Sequence, residues 1–188
     1  MSSSRQSPLH GVTGGPGEVL ALAERAFEGH INLRGNAGDG RFTAAVHAVL
    51  GVAPPVRPNT VASDAGILLI WLGPDEWLVQ VDKALRAPVL EKLRQALAGQ
   101  FAAVTDVSDG QTVLVLDDPR ATELLARGCP LDLHESVFPV GSCAQSVFGK
   151  TGVLLVRETP QRFAITVRRS FARYFYAALQ DAARMVIA

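Results

Sequence analysis

Cysteine is scarce: the 188 residues contain only Cys129 and Cys143. Two thiols cannot build the disulfide framework of a small secreted domain, and without an export signal they point to a reducing cytoplasm. Net charge is missing too, with 18 basic residues against 18 acidic ones. That balance excludes the basic field of a nucleic-acid or anionic-lipid binder, and it excludes an acidic tail. It also leaves little long-range self-repulsion, so packing against a partner is tolerated. No apolar run approaches the roughly 20 residues that a membrane span needs. The opening MSSSRQSPLHGVTGGPGEV lacks the continuous apolar core of a signal peptide.

What is present is apolar mass: 48% of the residues are hydrophobic, enough for a sizeable core in a chain of one-domain length. Residues 1–17 are rich in Ser, Gly and Pro, and residues 18–28 have helical composition. Residues 1–30 are therefore expected to be a flexible N-terminal arm, able to order on a partner, and residues 31–188 a single domain.

Punctuation organises that domain. Asp39 caps an expected helix with Phe42, Ala45, Val46 and Val49 on one face and Gly51 as its stop. Residues 53–59 hold three prolines and predict an extended connector. Residues 67–72 and 76–81 flank Gly73-Pro74-Asp75 and predict a β-hairpin with Trp77, Val79 and Val81 facing one way. A helix over 88–98 presents Leu85, Val89, Leu90, Leu93 and Leu97, with Gly99 as its stop. Residues 102–107 and 112–116 flank Ser108-Asp109-Gly110 and predict a second hairpin. Asp118 and Pro119 open a short helix burying Leu124 and Leu125, with Gly128 expected as its C′ residue. Strands follow over 142–148, 153–157 and 163–168. Ser170 is expected to cap a last helix with the stripe Phe171, Tyr174, Phe175, Ala178, Leu179 and Ala182. Helices flanking antiparallel hairpins define an α+β class.

Chemical motifs are sparse. Gly149-Lys150-Thr151 resembles the end of a phosphate loop, but Ala144 stands where the first glycine belongs and a strand follows. A tight turn with an exposed lysine is the simpler reading. Cys129, His134 and Cys143, with Asp132 nearby, do not match paired zinc-ligand spacing. Cys129 also follows a helix C-terminus, where the dipole opposes a thiolate nucleophile. Asp132, His134 and Ser136 or Ser142 supply triad residue types without a nucleophile elbow. Arg168, Arg169 and Ser170 are the best polar candidates: two guanidinium groups ahead of a helix N-terminus. A partner's carboxylate, a small anion or plain solvent would each satisfy them.

Four stretches carry a resemblance: LGPDEWLVQV (72–81), DVSDGQTVLVL (106–116), ARGCPLDLHESVFPVGSCAQS (126–146) and VRRSFARYFYAAL (167–179). With INLRGN (31–36) and PNTVA (58–62), they resemble the gamma-subunit family of heterotetrameric sarcosine oxidase. More distantly, Asp106-Val107-Ser108, Asp118-Pro119-Arg120-Ala121 and Pro139-Val140-Gly141 are similar to the first half of folate-dependent aminomethyltransferases. The resemblance implies an aminomethyltransferase-like domain of antiparallel hairpins with packed helices. It implies a complex that oxidises sarcosine to glycine and passes the methyl carbon to tetrahydrofolate. Alpha, beta and delta subunits are the implied partners and would carry FAD, FMN, NAD, tetrahydrofolate and zinc. This chain would contribute assembly, without a catalytic, cofactor or metal residue of its own. The transferases use acidic residues on the strand after the Pro-Val-Gly turn, whereas Val153-Leu154-Leu155-Val156 stand there. A free-standing folate-binding transferase is the alternative. An iron–sulfur accessory protein of the same fold is a further one, but its Lys-Gly-Cys-Tyr string is missing.

Overall fold

The computed structural model describes residues 6–12, 20 and 22–187. They divide into two compact units, one formed by Glu28–Ser108 with Gly141–Ala144 and the other by the remaining segments.

The first unit is a split β-α-β built on a five-stranded antiparallel sheet. Its elements include β2 (Gly29–Arg34), α1 (Gly40–Leu50), β3 (Val61–Asp64), β4 (Ile67–Gly73), β5 (Glu76–Val81), α2 (Arg86–Ala96) and β6 (Ala103–Asp106). The strand order is β3-β4-β5-β2-β6. Helix α1 forms where its caps dictate. Asp39 accepts a hydrogen bond from the Arg41 N–H at 2.9 Å, and Gly51 closes the helix at φ 75°, a conformation open to glycine. Phe42, Val46 and Leu50 face the sheet and join Ile31, Leu33, Leu69, Trp77, Val79, Val89 and Leu93 in one apolar cluster. Each such buried side chain contributes roughly 1.5–3 kcal/mol of transfer free energy. The proline-rich connector has a use: Pro55 O accepts the Trp77 indole N–H at 2.9 Å. The expected α2 stripe holds at Val89, Leu93 and Leu97, but Leu85 lies at the N-cap and is exposed.

The second unit contains β1 (Leu22–Arg25), β7 (Gln111–Asp117), α3 (Ala121–Ala126), β8 (Cys143–Phe148, whose first two residues belong to the first unit), β9 (Thr151–Arg157), β10 (Arg162–Arg168) and α4 (Ala172–Ile187). Its sheet runs β1-β7-β10-β9-β8. Residues 112–116 and 163–167 are buried without interruption, so β7 and β10 are covered on both faces. Phe148 meets Phe175 edge-on at 5.2 Å between ring centroids.

Four expectations change here. Residues 102–107 and 112–116 do not pair: β6 pairs with β2 and β7 with β1 and β10. Residues Ser108–Gly110 form a 3-10 turn between the two sheets, because Ser108 bonds to Asp106 and to the His30 backbone instead of closing a hairpin. Within residues 18–28, expected as helical, Leu22–Arg25 is a strand in register with β7, from Leu22 against Leu116 to Arg25 against Val113. Pairing with a strand remote in sequence overrides local propensity; residues 18, 19 and 21 lie outside the described residues. The domain start expected at Ile31 falls inside β2, and Leu9, Leu20 and Leu22 are already buried. Gly128 is not a left-handed C′ residue either. It is small because a Cβ there would stand 2.8 Å from the Phe148 ring.

Candidate functional site

The sequence candidates lie at the β10–α4 junction, and the structure sorts them. Arg168 ends β10, in register with Gln111. Arg169 and Ser170 lie in a 3-10 turn, Arg169–Phe171, so Ser170 is inside that turn and not the cap of α4, which begins at Ala172. Arg169 and Ser170 line an open cleft of about 600 Å³, together with Arg173, Gly110 and residues 6–8. Arg168 does not line it. Arg173 was missed by the sequence reading, although its i+4 spacing from Arg169 puts both on one helical face.

Arg169 donates from Nη2 to Gln6 O at 2.6 Å, and Arg173 donates from Nε to Pro8 O at 3.1 Å. Those carbonyls orient the guanidinium groups without neutralising them. The segment is anchored beside them by Leu9, which is 1% exposed. Among the described residues, no carboxylate pairs with Arg168, Arg169 or Arg173, whereas Arg25, Arg86, Arg120 and Arg162 each face one. Phe171 and Tyr174 belong to the expected core stripe, yet they are 41% and 38% exposed, and neither lines the cleft.

The other sequence candidates are spread apart. Cys129 is buried near Ser146 Oγ at 3.6 Å, and His134 Nδ1 meets Ser136 Oγ at 2.8 Å on the surface. Cys143 belongs to the other unit, where its thiol donates to Thr60 O and Trp71 O, and burial pushes its pKa up to about 11. Both cysteines are free, and no group of His, Cys, Asp or Glu among the described residues is arranged to hold a metal ion. Gly149 and Lys150 form the turn between β8 and β9, followed by a strand and not by the helix a phosphate loop requires. Asp106 is committed to its own turn. Burial opposes its ionisation, but hydrogen bonds from Ser108 and Arg86 outweigh burial and hold the carboxyl below the usual range. Val153, Leu154, Leu155 and Val156 are all buried.

Two buried basic side chains escaped the sequence reading. The Arg157 guanidinium is 4% exposed, donates to Leu133 O, Phe138 O and Pro160 O, and lies 5.3 Å from the Phe163 ring centroid. His30 is 1% exposed with neither ring nitrogen hydrogen-bonded. Burial, with help from the Arg86 charge and against that of Asp106, lowers its pKa to about 4. No local pattern marks either residue: His30 stands second in β2, among other polar residues, and Arg157 ends β9.

The fold is an α+β aminomethyltransferase-like one. The glycine cleavage system aminomethyltransferase T of Bartonella henselae superposes with a TM-score of 0.62 at 14% identity, over 84% of this chain and 44% of that one. At that identity the likeness describes the fold alone. The family is narrower: the model of the sarcosine oxidase, gamma subunit family matches residues 34–185, and the chain belongs to that family. Sarcosine oxidase subunit gamma of Corynebacterium sp. (strain U-96) is 34% identical over 165 residues, 87% of this chain and 79% of the relative. The Arthrobacter sp. subunit gamma is 31% identical over 187 residues, 96% of this chain and 91% of the relative. In the structure of heterotetrameric sarcosine oxidase from Corynebacterium sp. U-96, the matching chain superposes with a TM-score of 0.91 at 31% identity. That match covers 99% of this chain and 98% of the other.

Proposed function

We propose that this chain is the small assembly subunit of a heterotetrameric sarcosine oxidase, an oxidoreductase complex, and is itself non-catalytic. The carrying observation is the superposition over nearly the whole chain on a chain of the Corynebacterium enzyme, at a TM-score of 0.91. Alpha, beta and delta companions would hold FAD, FMN, NAD, tetrahydrofolate and zinc. The complex would oxidise sarcosine to glycine in the cytoplasm and pass the methyl carbon to tetrahydrofolate. A structural role fits the side chains of this subunit. On the strand where the resemblance to transferases calls for acidic residues, Val153, Leu154, Leu155 and Val156 fill the core. A carboxylate placed there would need to be desolvated or to displace that packing. No helix of the described residues is long and apolar enough to cross a membrane.

The test is isolation from the native host through a tag on this chain, with the visible spectrum and subunit pattern recorded. A yellow complex of four subunits that consumes oxygen with sarcosine is expected. A colourless single chain, under conditions where a control flavin complex survives, contradicts the proposal. In that case, a tetrahydrofolate titration at micromolar concentrations decides whether the chain is a free-standing folate protein.

A further inference from the structure

We propose that the first turn of α4 is the docking surface for an acidic segment of a companion subunit. Carboxylates of that segment would be held by Arg169 and Arg173, in the cleft those two side chains line. This rests on the subunit reading above and adds the place and chemistry of the contact.

Charge comes first. Each guanidinium offers five N–H donors in a fixed fork, and the bonds to Gln6 O and Pro8 O use one donor of each. The remaining donors border an open cleft with no acidic side chain in its lining. Bidentate carboxylate recognition suits such forks. The positive end of the 16-residue α4 adds to the attraction.

Preorganisation comes second. Arginine has a large rotamer entropy, and fixing it on binding costs affinity. Here the backbone carbonyls of residues 6 and 8 hold both forks in advance, and buried Leu9 holds that segment. Composition comes third. Exposed Phe171 and Tyr174 share this short segment with the arginines but lie outside the cleft lining, so a partner broad enough to cover the turn meets the aromatic-plus-arginine composition enriched in interface hot spots. Tyr174 is fixed in turn, because its hydroxyl accepts the Lys150 N–H at 3.1 Å. A free small anion would use the arginines and leave the two rings in water.

The experiment compares the wild-type chain with Arg169→Glu/Arg173→Glu, each tagged and co-expressed with its companion subunits. The expected result is at least a tenfold loss of recovered companions for the variant, with an unchanged far-UV spectrum of the chain. If that variant does not fold, Arg169→Gln/Arg173→Gln replaces it, with a smaller loss expected. As an independent readout, raising salt from about 0.1 M to about 1 M shortens the screening length from about 10 Å to about 3 Å. Wild-type recovery should fall with salt, and recovery of the glutamine variant should depend on it less. A wild-type chain that brings down no companion defeats the subunit reading itself. Wild-type and variant chains that assemble equally well, with equal salt dependence, overturn the docking surface alone. A phosphate-dependent rise in melting temperature, seen only in the wild type, would then assign the cleft to a free anion.

Discussion

The two units solve the same problem, an antiparallel sheet covered by helices, with different materials. The unit containing β2–β6 relies on apolar packing. Its helices α1 and α2 touch, and its one fully buried basic group, His30, lowers its pKa and stays neutral. The unit containing β7–β10 has an apolar core of its own and adds long-range polar tethers to it. Arg157 remains inside as a cation spread over three carbonyls, and Arg25 grips Glu158 with two bonds of 2.6 Å. Glu24 accepts from Ser7 and Thr112, while the Gln180 amide brackets both backbone groups of Leu20. These tethers join segments up to 160 residues apart, as for Leu20 and Gln180. Apolar periodicity builds a unit from neighbours in sequence. Directional polar contacts capture strands and loops that carry little periodicity of their own.

The largest expected effect comes from cutting the main tether. Arg157→Ala should cost about 2–4 kcal/mol in urea denaturation, since it strands buried carbonyl acceptors and opens a cavity. Arg157→Met keeps most of the bulk; if it costs as much as alanine, the hydrogen bonds dominate, and if it costs little, packing does.

His30 sharpens the contrast from the other side. Its folded pKa of about 4 lies below the ordinary 6.5, so the unfolded chain binds the proton more readily between those values. Stability is therefore unaffected by His30 above about pH 6.5 and falls as pH drops towards 4, by roughly 3 kcal/mol at 1.36 kcal/mol per pKa unit. His30→Leu should flatten that acid limb while costing little at pH 7, because it removes two unpartnered ring nitrogens. Parallel acid limbs in urea midpoints for the two proteins would contradict the assignment.

Gly128→Ala ranks next, at about 1–3 kcal/mol, because its Cβ would drive into buried Phe148. A simultaneous Phe148→Leu should recover part of that loss, and additive losses in the double variant would locate the strain elsewhere. Asp39→Ala is the smallest: a lower urea midpoint at unchanged slope, from loss of the α1 cap.

The same contrast explains what the sequence makes legible. Caps, turns and stripes placed α1 and the β4–β5 hairpin with boundaries close to those observed, because their signals are local, whereas α3 begins only at Ala121, with Arg120 and not Asp118 at its N-cap. The Asp109-Gly110 turn signal is real, but it cannot say whether its flanks pair with each other, and they pair in different sheets. Strand β1 was hidden because its partner, β7, lies about ninety residues away, as in Glu24 and Thr112 with a separation of 88. At the candidate site, the guanidinium groups of Arg168 and Arg169 stood out in sequence. Separation of Arg168 from the cleft, and the addition of Arg173, required knowing where β10 stops and the 3-10 turn begins.

The measurement that tests the assembly role most directly is deletion of this chain from its native host, with companion subunits counted by mass and flavin by absorbance. The account predicts that assembled complex is lost while the companion chains that remain soluble keep their bound flavin. Full assembly without this chain, accompanied by loss of sarcosine oxidation, would contradict it and make the chain a contributor to the chemistry.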